Sequence, residues 1–265
     1  WEKLLIRRWH SFLTMQKKVA VELNHIVTVS ERSYADIIES FDLKSDNIQL
    51  VYNGIDTKEF KPIDSIERDR WQIMATASAD QPLKGLRFLL LAFAKLAEKY
   101  PKLQLLLVSQ PNEGGETEKL VKRLGIGDKI QFVHGISTAS MVEHYARSSI
   151  AVVPSIYEGF GLPAGEAMAC GVPGIATDGG ALPEVVGQAG LTVPIKDAGA
   201  IAAAIEKLLS NPKAREQFGQ LGRKRIENKF SWQLVAEQMS ALYQQILAAE
   251  AVPVSYTHLR AHETG

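Results

Sequence analysis

The sequence predicts a doubly wound α/β fold with a parallel sheet, and three observations carry the prediction. Short apolar runs alternate with helix-length amphipathic segments from Ile48 onward. The connections between them are short, so right-handed crossovers would place helices on both faces of one sheet. Two of the runs end in glycine-rich turns, the position where open α/β sheets bind ligands.

Taken in order, residues 1–24 read as an amphipathic helix, with Leu4, Leu5, Trp9, Phe12, Leu13 and Val19 near one side and Arg7, Arg8, Lys17 and Lys18 elsewhere. Such a helix can lie on an anionic membrane surface or pack its apolar side on another part of the protein. Residues 25–29 form a strand, and Ser30 or Ser33 can cap the helix that ends near Phe41. Further strands are expected at 48–52, 73–77, 103–108, 130–133, 150–153, 172–176 and 191–193. Helices fall near 84–99, 116–124, 138–147, 163–170 and 197–209. Two more follow at 212–228 and 231–250, the second with Trp232, Leu234, Val235, Met239, Leu242 and Ile246 in helical register. Residues 251–265 break the pattern and read as translated vector or adapter sequence. His258 and His262 have a zinc-compatible spacing there, but at least two further ligands would be required, and no metal site is expected.

Composition excludes several functions. With 30 basic against 30 acidic residues and no basic run interleaved with aromatics, the chain is not a general phosphate-backbone binder, and no nucleic-acid partner is expected. The single cysteine, Cys170, rules out an internal disulfide and fits a reducing, cytoplasmic compartment. No apolar stretch approaches the roughly 20 residues that span a bilayer.

The segment richest in chemistry is Glu158-Gly159-Phe160-Gly161-Leu162-Pro163-Ala164-Gly165-Glu166, in which seven residues separate two carboxylates across a glycine-rich turn. It follows an apolar strand and leads into helix-forming residues, so helix N–H groups and the positive dipole end are available to an anion. Ala176-Thr177-Asp178-Gly179-Gly180-Ala181-Leu182-Pro183-Glu184, one βα unit later, would face the same crevice. The plainer alternative is a tight turn in which Glu166 only complements the helix dipole.

From about Val27 to Ala249 the chain resembles the carboxyl-terminal domain of glycosyltransferase family 4, retaining enzymes of the two-Rossmann GT-B fold. Four ordered motifs carry the resemblance: Val51-Tyr52-Asn53-Gly54-Ile55-Asp56 with Phe60 and Pro62, then Lys84-Gly85, the two-glutamate segment, and Gly179 to Glu184. The resemblance implies a remnant of the amino-terminal domain at 1–47, a Rossmann-like nucleotide-sugar domain at 48–230, and a terminal helix at 231–250 that crosses back to the first domain. It also implies a truncated chain, with the acceptor-binding loops preceding Trp1.

By the same resemblance, Glu166 accepts hydrogen bonds from the donor ribose and Glu158 contacts hydroxyls of the transferred sugar. Ionised carboxylates suit both roles because they only accept. Lys84 matches the diphosphate position, and the backbone N–H groups of Phe160, Gly161 and Leu162 surround the sugar and distal phosphate. His134 belongs to a loop near the base, although it also reads as an ordinary turn histidine. Family members commonly carry an arginine before the lysine, and here the stretch Ala75 to Leu83 has none. Ser78, or Arg87 in the following helix, are the candidate substitutes.

The expected function is a retaining, hexosyl-type glycosyltransferase that uses a nucleotide-diphosphate sugar as co-substrate, a carbohydrate or lipid-linked acceptor and no cofactor. This chain by itself would have little or no activity. A nicotinamide enzyme would want G-x-G-x-x-G, which glycines 159, 161 and 165 do not match, and the D-x-D of the other major transferase fold is absent. A donor-binding fragment without turnover, or an epimerase or phosphorylase of the same fold, remain alternatives.

Overall fold

The computed structural model describes residues 12–250, so the expectations for the first eleven residues and for the tail after 250 lie outside it. Residues 12–20 are helical (α1). Strand β1 (Ile26–Thr28), helix α2 (Glu31–Phe41) and strand β2 (Ile48–Leu50) follow. Ser30 caps α2 by accepting from the Ser33 N–H. β1 and β2 pair in parallel as a separate two-stranded sheet, with Ile26 opposite Ile48. This corrects one expectation: the strand at 48–50 does not open the large sheet, and the boundary placed between 47 and 48 falls inside the small one. Apolar patterning specifies a strand but says nothing about which strand it pairs with.

The large sheet has six parallel strands: β3 (Asp69–Thr76), β4 (Gln104–Val108), β5 (Ile130–Val133), β6 (Ser148–Val153), β7 (Gly174–Thr177) and β8 (Leu191–Val193). Their order is β5-β4-β3-β6-β7-β8. The chain builds outward from β3 to β5, returns to β6 beside β3, and builds outward again to β8, which leaves a switch point between β3 and β6.

Helices α3 (Leu86–Lys99), α4 (Glu116–Leu124), α5 (Thr138–Arg147), α6 (Leu162–Ala169), α7 (Leu182–Val186) and α8 (Ala198–Ser210) connect or follow the strands. The short α7 occupies residues that the sequence presents as a glycine-rich loop. Alternate strand residues enter opposite cores. Ile73, Leu105, Leu107, Ile150 and Val152 pack with α3 and α8, while Met74, Leu106 and Ala151 pack with Val142 and Tyr145 of α5. Burial on both faces explains why these strands are apolar throughout.

Helix α9 (Pro212–Lys229) leads to α10 (Trp232–Glu250). Val235 and Leu242 of α10 bury against Val51, just past β2. A parallel bridge between Ile55 and Ser231 fixes the start of this helix.

Candidate functional site

Three loops meet at the carboxyl edge of β3, β6 and β7, and their backbones touch. Gly85 ends the β3–α3 loop at φ 65°, and a Cβ there would lie 1.9 Å from the Pro154 carbonyl oxygen in the β6–α6 loop. The Ile156 N–H donates to the Leu83 oxygen at 2.8 Å across the same seam. Gly180, at φ 64°, is pressed against Glu158, with a virtual Cβ 2.2 Å from the Glu158 carbonyl oxygen, which also accepts from the Ala181 N–H at 2.9 Å. These two glycines are needed both for their left-handed backbone and for the close approach. Thr177 donates to the Ser155 carbonyl and completes the seam.

Between these loops lies an ion pair. Lys84 Nζ is 2.9 Å from Glu158 Oε1, and the buried Ser155 hydroxyl donates to the same oxygen at 2.7 Å. The lysine side chain keeps 32% of its exposure and the carboxylate 12%, so the pair is held by the fold yet reachable from solvent. Lys84 does not begin α3 as the sequence suggests. It ends a one-turn 3-10 segment, Pro82–Lys84, and left-handed Gly85 separates it from the helix.

Glu166 lies beyond the first turn of α6, so it is not a dipole-complementing residue at the helix start. Burial raises its carboxyl above the ordinary range, and a hydrogen bond from the Tyr145 hydroxyl to Oε2, at 3.4 Å, partly offsets this. That hydroxyl also stands 3.4 Å from Thr76 Oγ1 at the end of β3, so Glu166 is tied through Tyr145 to the switch point. Neighbouring Cys170 is pushed up to about 12 by burial, which keeps it a protonated, inert thiol.

The side chain of Phe160 is in the core, 6.3 Å from the Tyr52 ring centroid and 5.7 Å from that of Phe230, whereas Leu162 is exposed. Among the described residues, the backbone N–H groups of Phe160, Gly161 and Leu162 donate to no protein acceptor. Unpaired donors at the start of a helix are suited to an anionic oxygen.

The other candidates lie apart. Ser78 is exposed, in a loop pinned by Asp80, whose carboxylate accepts from the Asn112 and Thr117 N–H groups at 2.8 Å each. His134 is exposed at the end of β5, the outermost strand on that side. No hydrogen bond joins Ser78 or His134 to Lys84, Glu158 or Glu166 among the described residues. Arg87 lines a separate cavity of 550 Å³ with Asp80, Leu86, Thr117, Arg123 and Lys196, and that cavity contains neither Lys84 nor Glu158.

Sequence reasoning missed three supporting residues. Ser155 had a signal, since a hydroxyl three residues before Glu158 in the same loop can reach it. Tyr145 is hidden in the apolar register of α5. Glu184 belonged to a recognised motif, but its partners are 152 and 153 residues away: its carboxylate accepts from the backbone N–H groups of Arg32 and Glu31 at 2.8 Å and caps α2. Ser33 Oγ donates to the Gly159 carbonyl at 3.2 Å, so α2 touches both glycine-rich loops. Among the described residues no cluster of metal-ligating side chains occurs, and no helix is long and apolar enough to cross a membrane.

Known proteins resemble this chain in sequence and in fold. The family described as "Glycosyl transferases group 1" matches residues 56–225. An MMP alpha-(1->4)-mannosyltransferase from Mycolicibacterium hassiacum is 43% identical over 256 residues, covering 95% of this chain and 61% of that protein. A D-inositol 3-phosphate glycosyltransferase from Corynebacterium jeikeium is 31% identical over 250 residues, 87% of this chain and 59% of the relative. Among solved structures, sucrose-phosphate synthase from Thermosynechococcus elongatus aligns with a TM-score of 0.80 at 32% identity, covering 91% of this chain and 62% of that one. The chain thus spans about three-fifths of the length of these relatives.

Proposed function

The chain belongs to the glycosyl transferases group 1, and from that premise we propose that it forms the donor half of a retaining glycosyltransferase of family 4 type. It would hold a nucleoside-diphosphate sugar for transfer to an acceptor hydroxyl on a carbohydrate or lipid-linked molecule. One observation carries the reading: a cation, a carboxylate and unpaired helix-start donors meet beside the β3/β6 switch point. The cation and the N–H donors suit the diphosphate, and the carboxylate suits sugar hydroxyls.

In this reading Lys84 and the N–H groups of Phe160, Gly161 and Leu162 take the diphosphate and stabilise its growing charge as the glycosidic bond breaks. A diphosphate competes with Glu158 for Lys84. Once displaced from the lysine, Glu158 remains anchored by Ser155 and can accept from hydroxyls of the sugar. Glu166 takes the ribose hydroxyls. For retention, the acceptor oxygen attacks the face from which the diphosphate departs, and a leaving phosphate oxygen takes the acceptor proton. The protein's part is then positioning and charge stabilisation.

The relative at 43% identity is a mannosyltransferase, which makes a mannosyl donor the first to test. A thermal-shift panel of UDP, GDP and ADP sugars on this chain is the direct experiment, because a ligand that binds only the folded state raises its melting temperature. Stabilisation by one nucleotide series, lost on Glu166→Ala, is the expected result. A melting temperature unmoved by all three at millimolar concentration overturns the reading.

A further inference from the structure

We infer that Tyr145 is a positioning residue for donor recognition: its buried hydroxyl fixes one oxygen of Glu166 so that the other faces the ribose. The inference rests on the reading of Glu166 as the ribose ligand.

Tyr145 projects from α5 and is buried, with its ring 6.4 Å from that of Phe60 in an edge-on contact. Its hydroxyl meets three oxygens, Thr76 Oγ1, the Pro163 carbonyl and Glu166 Oε2, each at 3.4 Å. A phenol has a single proton, and a carbonyl or carboxylate oxygen can only accept. Thr76, the remaining neighbour, can donate to the phenol and leave its proton for the acceptors. Burial holds the phenol well above its usual titration range, so it stays a donor.

The two oxygens of Glu166 differ. Oε2 accepts from Tyr145, whereas Oε1 has no hydrogen-bond partner among the described residues. No fully buried side-chain oxygen or nitrogen among them lacks a partner, so Oε1 keeps some exposure to solvent. A carboxylate with its inner oxygen anchored and its outer oxygen accessible is a pre-oriented acceptor, whose rotamer is set before the ligand arrives. Through Thr76 the same hydroxyl touches the end of β3, the strand whose following loop carries Lys84. The groups assigned to the ribose and to the diphosphate are therefore linked through the end of β3 and the loop that follows it.

The test measures ribose preference. The nucleoside diphosphate that stabilises this chain is titrated by calorimetry beside its 2′,3′-dideoxy counterpart, into the wild type, Tyr145→Phe and Glu166→Gln. The wild type should prefer the ribonucleotide by about tenfold, the scale of one hydrogen bond to a charged group. Tyr145→Phe, which keeps the ring, should lose most of that preference while its affinity for the dideoxy nucleotide stays within about twofold, well inside the tenfold effect of one such bond. Removing the phenol also removes the bond that lowers the Glu166 pKa, so the loss of ribonucleotide affinity on acidification should move to higher pH. If Tyr145→Phe fails to fold, Tyr145→3-fluorotyrosine, a stronger donor of similar volume, should move that midpoint to lower pH.

Full ribose preference in Tyr145→Phe, or an unmoved midpoint with fluorotyrosine, overturns this inference alone. Equal loss of ribo and dideoxy affinity assigns the tyrosine to packing and also overturns it. A wild type that binds the nucleotide without ribose preference removes the Glu166 assignment, and this inference with it.

Discussion

Cations at the two ends of the six-stranded sheet meet different partners. At the amino-terminal edge, Arg68 donates to the carbonyl oxygens of Tyr145, Ala146, Ser148, Cys170 and Gly171. Arg223 donates to those of Thr57, Phe60 and Ala169, and both arginines line a cavity of 710 Å³ with Arg70, Arg215 and Lys224. At the carboxyl edge, Lys84 meets a single carboxylate, Glu158. Carbonyls of the main chain cannot leave without unravelling strand starts and helix ends, so Arg68 acts as a staple. A side-chain carboxylate can move aside when a stronger anion arrives, so in the proposed reading the Lys84 pair is exchangeable. Both side chains carry one positive charge, and in the proposed reading the mobility of the partner separates the staple from the charge that meets the donor.

The contrast can be broken at either end. Arg68→Ala should show the largest effect, about 3 kcal/mol or more of lost stability, because buried carbonyls lose a charged donor. A urea midpoint measures it, and nucleotide affinity of the folded protein should stay near wild type. Lys84→Ala should do the reverse: about 1 kcal/mol or less of stability, as for a partly exposed ion pair, with nucleoside-diphosphate affinity reduced about tenfold or more. If the two substitutions cost equal stability, or if Lys84→Ala binds normally, the distinction between staple and exchangeable pair disappears.

The smallest effect sharpens the comparison through pH. Burial raises the Glu166 carboxyl above its ordinary value of 4.5. Between the unfolded and folded values the native chain holds a proton that the unfolded chain has lost, so this group's contribution to stability falls as pH rises through that window. Ribose hydroxyls donate to the ionised form, so nucleotide affinity should fall as pH drops through the raised folded value. Isothermal titration from pH 7.5 downward should show the loss beginning above the usual carboxylate range in the wild type. The Glu166→Gln protein should lack that component, and identical pH profiles for the two proteins remove Glu166 from nucleotide binding.

Much of the molecule was legible before folding. β3 to β8 stand near their expected places, since apolar runs buried on both faces announce themselves, as Leu105, Leu106 and Leu107 do by entering opposite cores. Lys84, Glu158 and the glycine-rich loops were legible too, because bare backbone next to charge is unusual in a turn. The pairing of β2 with β1 was not, since Ile48 lies 22 positions after its partner Ile26 and neither strand's composition names the other. Nor was α7, whose five residues are too few to show a helical period.

By itself, then, the sequence determined the strands of the large sheet, the longer helices, their order and which charged residues border the glycine-rich loops, because local periodicity and backbone freedom are properties of neighbouring residues. Tertiary structure alone decided that Glu158 pairs with Lys84, 74 positions away, that Tyr145 holds Glu166, and that Glu184 caps a helix of the small sheet. Hydrogen bonds act over about 3 Å, and only the closed fold brings such distant residues within that range.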